Sequence, residues 1–177
     1  MSTVNILLAG FGGQGILFAG KILAYAGLMD GKEVSWLPSY GPEMRGGTAN
    51  CSVCISDLPI GSPLITEPDY LIAMNRPSLE KFVGSVVPGG KIFVESSLID
   101  QKVERTDVET FYVPATALAE ENDLKGLANI ILLGKVLSEL GFLSAESVEK
   151  AINKCVPPKK AHLIVHNLRA IELGGKQ

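Results

Sequence analysis

Two short stretches of the chain concentrate the residues able to do chemistry. The first is Gly10-Phe-Gly12-Gly13-Gln14-Gly15, a glycine pattern that follows an apolar run at residues 3–9 and precedes Ile16, Gly20, Leu23 and Gly27 at helical spacing. Strand, glycine turn, then helix is the context in which such a pattern binds anions. Glycines let the backbone approach a ligand closely, and the helix N-terminus offers free N–H groups with positive partial charge. Gly10, Gly12, Gly13, Gln14 and Gly15 are therefore candidate cofactor-binding residues. A turn that only packs helix on strand is the structural alternative. The second stretch, residues 38–47, sets Ser39, Tyr40, Glu43 and Arg45 among three glycines and two prolines. It follows a strand-like segment, and ligands of α/β sheets bind beyond the carboxyl ends of strands. Arg45 suits bidentate pairing with a phosphate or carboxylate. The structural alternative is a loop held by an Arg45–Glu43 contact.

Other motifs carry less. A dinucleotide site expects a carboxylate at the end of the second strand, about 20 residues past the glycines, to hold a ribose. Here that strand ends at Leu37-Pro38-Ser39, while Asp30 and Glu33 come too early. Cys51 and Cys54 have metal-ligand spacing, but their neighbours are strand-like, and strand positions three apart face opposite ways. Cys155 is remote, and an iron–sulfur cluster usually takes four thiolates. His162 and His166 share a predicted helix face without a third ligand. No nucleophile elbow, P-loop lysine or paired carboxylates occur, so no catalytic and no metal-binding residue is assigned.

The elements that position these loops follow from hydrophobic pattern. Residues 3–9 read as a strand buried on both faces. A helix from Ile16 closes at Asp30-Gly31, and residues 33–37 read as a second strand, so the start is Rossmann-like, a βαβ unit with the two strands paired in parallel. Further strands are expected at 48–55, 69–74, 91–95 and 111–113, with a helix near 77–83. Helices follow from Pro114 onward. Residues 126–140 are apolar almost all round, which implies burial on several sides or a face for a partner. The fold class is α/β, a three-layer α/β/α sandwich with a largely parallel sheet and a helical C-terminus. With 177 residues, a single domain spanning 1–177 is expected.

Composition narrows the function. Hydrophobic residues make up 46% and charged residues 20%, with mean hydropathy +0.26, enough to build a core and to leave apolar surface for partner subunits. The formal charge is −3, from 16 basic and 19 acidic residues, without a basic stripe. Nucleic acid is not an expected partner. No apolar run approaches the length of a membrane span, no secretory signal is visible, and a cytoplasmic location is expected.

Gly10-Phe-Gly-Gly-Gln-Gly-Ile16 followed by Ser39-Tyr-Gly-Pro-Glu-Met-Arg-Gly-Gly-Thr-Ala-Asn-Cys51 resembles the gamma subunit of 2-oxoacid:ferredoxin oxidoreductases. Asp57-Leu-Pro-Ile-Gly-Ser-Pro63, Ala128-Asn-Ile-Ile-Leu-Leu-Gly134 and Asn167-Leu-Arg-Ala-Ile-Glu-Leu-Gly174 extend the likeness over nearly the whole chain. The resemblance implies a part of a complex that converts a 2-oxoacid and coenzyme A to acyl-CoA, carbon dioxide and reduced ferredoxin. It implies alpha, beta and delta partner subunits, with thiamine diphosphate held by alpha and beta and iron–sulfur clusters in beta and delta. The gamma unit, with no cofactor bound by itself, then stands beside the active site and helps hold coenzyme A. Tyr40-Gly-Pro-Glu-Met-Arg-Gly-Gly47 is more similar to the 2-oxoglutarate or 2-ketoisovalerate type than to the pyruvate type, and an indolepyruvate-type relative is a further reading. An independent nucleotide-binding oxidoreductase and a pure assembly module are the competing functions.

Overall fold

The N-terminal apolar run forms β1 (Thr3–Phe11), buried from Ile6 to Ala9, in a computed structural model that describes residues 3–40 and 48–177. Helix α1 (Ile16–Met29) follows, then β2 (Glu33–Tyr40) and β3 (Thr48–Ser56). Strand β4 (Tyr70–Ala73) leads through Asn75 to α2 (Arg76–Phe82). The Asn75 side chain caps α2 by accepting from the Ser78 amide at 2.8 Å, and Pro77 stands in the first turn, where its missing N–H costs nothing. Strands β5 (Lys91–Glu95) and β6 (Glu109–Val113) complete the sheet. Helices α3 (Ala115–Glu121), α4 (Ala128–Leu140), α5 (Ala145–Cys155) and α6 (Ile164–Gly175) form the C-terminal part.

The strand order is β2-β3-β1-β4-β5-β6. Strands β1, β4, β5 and β6 pair in parallel, whereas β3 is antiparallel to both of its neighbours. The expected parallel pairing of the first two strands is therefore corrected: β3 lies between them. Because β3 opposes both, β1 and β2 still run in the same direction. Gly10 and Tyr40 align with the same β3 residue, Ala49, so both strands end at one edge of the sheet. Strand β2 also continues through Pro38, which an outermost strand tolerates because one side of its backbone needs no partner.

One face of the sheet buries Ile6, Leu8, Val53, Ile55 and Phe93 under the layer of α1 and the C-terminal helices. Helix α4 belongs to this core, with Ile130, Ile131, Leu132, Leu133 and Val136 all buried. It is stitched to the sheet by Glu139, which accepts from Lys91 at 2.6 Å and from Lys135 at 2.9 Å. The other face buries Leu7, Leu71, Ile92 and Val94 against α2 and Ile99. Three layers result, as the hydrophobic pattern predicts.

Candidate functional site

The glycine loop sits at the carboxyl edge of β1, where the chain passes to different neighbours on either side, β3 and β4. Such a switch in strand order opens a crevice in α/β sheets. Gln14 organises the loop. Its Oε1 accepts the Phe11 amide at 2.7 Å, its Nε2 donates to the Met74 carbonyl at 2.9 Å, and its own amide donates to the Phe11 carbonyl at 3.2 Å. The side chain thus ties the end of β1 to the end of β4. Gly15 begins α1 at φ 74°, a left-handed conformation that other residues adopt only with strain. A Cβ there would also strike the Asn129 amide, which donates to the Gly15 carbonyl at 3.0 Å. Helix α1 has no side-chain N-cap and no acidic residue in its first turn. Its positive end is left for an anion or for solvent.

Beside this loop lies a cleft of about 320 Å³ bounded by Gly13, Gln14, Met74, Thr116, Lys125 and Asn129. Thr116 is placed by Glu95, the last residue of β5, whose Oε1 accepts the Thr116 amide at 2.9 Å. Glu95 is fully buried, and its Oε2 has no hydrogen-bond partner among the described residues. Sequence reading missed Thr116, Lys125 and Glu95, and quoted Asn129 without a role. Asn129 alone left a local signal, an amide in the first turn of an otherwise apolar helix.

The second candidate loop meets the same edge through Ser39 and the backbone of Tyr40, which align with Asn50 and Ala49 of β3. Ser39 is exposed there. The Tyr40 side chain, Glu43 and Arg45 lie outside the described residues. The end of β2 does not adjoin the glycine loop, because β3 stands between, and this separates the site from a dinucleotide fold with its ribose carboxylate beside the glycines.

Cys51 and Cys54 lie on β3 facing opposite ways, as the spacing requires. Cys51 is wholly buried under α1, and burial pushes its thiol up to about 12. Burial likewise raises Cys54, with a further push from Asp69, and raises Cys155. None of the three is poised as a thiolate. His162 lies in a 3-10 turn and His166 in α6, both exposed. Among the described residues no group of three or more His, Cys, Asp and Glu is arranged to hold a metal. What the edge offers among the described residues is an anion-suited backbone loop and a cleft, with no nucleophile paired to a base.

Residues 5–177 match the family described as pyruvate ferredoxin/flavodoxin oxidoreductase. The chain belongs to this family. Within it, ketoisovalerate oxidoreductase subunit VorA of Methanothermobacter thermautotrophicus is 41% identical over 175 residues, which are 98% of this chain but only 36% of that protein. The chain thus spans about a third of that relative. The crystal structure of the keto/oxoacid ferredoxin oxidoreductase gamma subunit from Geobacter sulfurreducens superposes with a TM-score of 0.83 at 31% identity, covering 98% of this chain and 96% of that one. A 2-oxoglutarate:ferredoxin oxidoreductase from Magnetococcus marinus, solved with 2-oxoglutarate, coenzyme A and succinyl-CoA bound, gives a TM-score of 0.87 at 25% identity. There the likeness covers 99% of this chain and 31% of the larger chain. The oxidoreductase family unit thus occurs both as a chain of its own and as part of a longer one.

Proposed function

We propose that the chain is the gamma-type component of a cytoplasmic, multi-subunit 2-oxoacid:ferredoxin oxidoreductase. The reaction consumes a 2-oxoacid, coenzyme A and two oxidised ferredoxins, and yields acyl-CoA, carbon dioxide, two reduced ferredoxins and a proton. The observation that carries this reading is the end-to-end match to a separate gamma subunit. Alpha, beta and delta subunits are the partners. Thiamine diphosphate and iron–sulfur clusters on those subunits supply the decarboxylation chemistry and the electron path. This chain's own cysteines do not suit a cluster, since Cys51 and Cys54 are buried on opposite sides of one strand.

The contribution of this chain is to hold an anionic part of coenzyme A at the shared sheet edge. Gly10, Gly12, Gly13, Gln14 and Gly15 form the backbone cradle, and Ser39, Tyr40, Glu43 and Arg45 supply side chains from the second loop. The uncapped start of α1 supports this assignment. In the assembled enzyme Arg45→Ala is expected to raise the KM for coenzyme A about ten- to a hundred-fold, the worth of a charge-assisted bond. Reduction driven by the 2-oxoacid alone should change far less. Equal loss for both substrates, or for neither, assigns Arg45 a purely structural part.

A further inference from the structure

A second cleft, of about 550 Å³, opens on the opposite face of the sheet over β1, β3 and β2. Polar and apolar side chains share its lining. Ser39, Asn50 and Ser52 line it from the strands, and Thr66 lines it from the loop above. None of these four side chains has a hydrogen-bond partner among the described residues. Ser52 is only 8% exposed and lines the cavity. The same stripe of β2 continues to Ser35, whose buried Oγ is likewise unpaired. Native interiors seldom leave such groups without a partner.

Charge and shape narrow the ligand. Among the described residues Lys81 is the one ionised residue lining the cleft, and no carboxylate among them lines it. Lys81 makes no ion pair among the described residues and rests 5.0 Å from the Phe82 ring centroid. Arg105 fixes this wall by donating from Nη1 to the Val83 carbonyl at 2.9 Å and the Val86 carbonyl at 2.7 Å. Leu7, Leu37 and Leu64 make the apolar sides. A volume of several hundred Å³ with apolar walls and a few convergent polar groups is the build of a small-molecule site.

We infer that this cleft binds a small organic anion, with its carboxylate or phosphate on Lys81 and an amide or hydroxyl group on Ser52 and Asn50. The cleft shares Ser39 with the second loop, but no glycine-loop residue lines it, and the inference does not depend on the proposed role in a complex. Titration of the full chain, followed by backbone amide NMR, tests it with three probes: N-acetyl-L-leucine, butyl phosphate and the neutral N-acetyl-L-leucinamide. At least one anionic probe should shift the amides of Leu37, Ser39, Asn50 and Ser52 saturably, binding about ten-fold more tightly than the neutral amide. Which anion does so distinguishes a carboxylate ligand from a phosphate ligand. Lys81→Met, at an exposed position, should abolish that preference, and Ser52→Ala should weaken the same probe several-fold. Silence of these amides toward both anions, or equal affinity for charged and neutral probes, overturns the inference. Protection of these amides only on adding an alpha-type subunit also overturns it, by making the cleft a protein contact.

Discussion

On one face of β3, Cys51, Val53 and Ile55 lie under α1, so closely that a Cβ at Gly20 would overlap the Cys51 sulfur. On the other face, Asn50 and Ser52 of the same strand look into an open cleft, because α2 packs over β1 and β4 instead. The residues alternate along nine positions, as the two-residue period of a strand dictates. One side is finished as core within this chain. The other carries Asn50 and Ser52, whose side chains find no partner among the described residues. The contrast shows that shape alone does not set the sheet's two halves apart, for β3 keeps both characters within one strand. Packing is settled on the α1 side, and binding capacity is kept on the other.

The largest expected effect breaks the finished face. Ile55 is fully buried against α1, and Ile55→Ala should cost about 2–5 kcal/mol of stability in urea unfolding. A loss below about 1 kcal/mol contradicts the assignment of this face to the core.

A smaller effect sharpens the comparison at the rim of the core. Glu139 joins α4 to β5 through Lys91, with Lys135 beside it. Hydrogen bonds from Lys91 and then Lys135 hold its carboxyl below the ordinary value of 4.5, against the opposing effect of burial. A carboxyl lowered by folding stabilises the fold above its unfolded value and loses that contribution as pH falls through the folded value. Glu139→Gln should therefore cost about 1 kcal/mol at neutral pH. The gap to wild type should close as the pH drops below 4.5, measured by urea midpoints across pH. A gap that widens in acid contradicts the assignment.

The smallest effect is expected on the open face. Ser52→Ala removes a hydroxyl without a partner among the described residues and should change stability by no more than about 0.5 kcal/mol in the same unfolding assay. A cost equal to that of Ile55→Ala erases the distinction between the two faces.

Much of this arrangement is legible in local sequence. The apolar run of β1, the glycine turn and the helix after it mark the anion-suited edge directly, because each signal lies within a few residues of its neighbour. The alternation Asn50-Cys51-Ser52-Val53 marks a strand and sends Cys51 and Cys54 to opposite sides. The placement of β3 between β1 and β2 is not legible there, since strand neighbours are chosen by long-range pairing. Pro38 reads as a loop residue for its missing N–H, yet it sits in an outermost strand. Glu95 and Thr116 are 21 residues apart and meet only through folding, so no spacing announces them.

The central claim, that this family member works as a gamma-type subunit, is tested most directly by affinity purification through a tag on the full chain from its native cell, followed by assay of the eluate with coenzyme A, ferredoxin and a series of 2-oxoacids. The expected result is co-elution of alpha-, beta- and delta-type polypeptides with 2-oxoacid- and coenzyme A-dependent ferredoxin reduction, and no activity once the tagged chain is separated from them. Elution of the chain alone, or ferredoxin reduction by the separated chain, contradicts it.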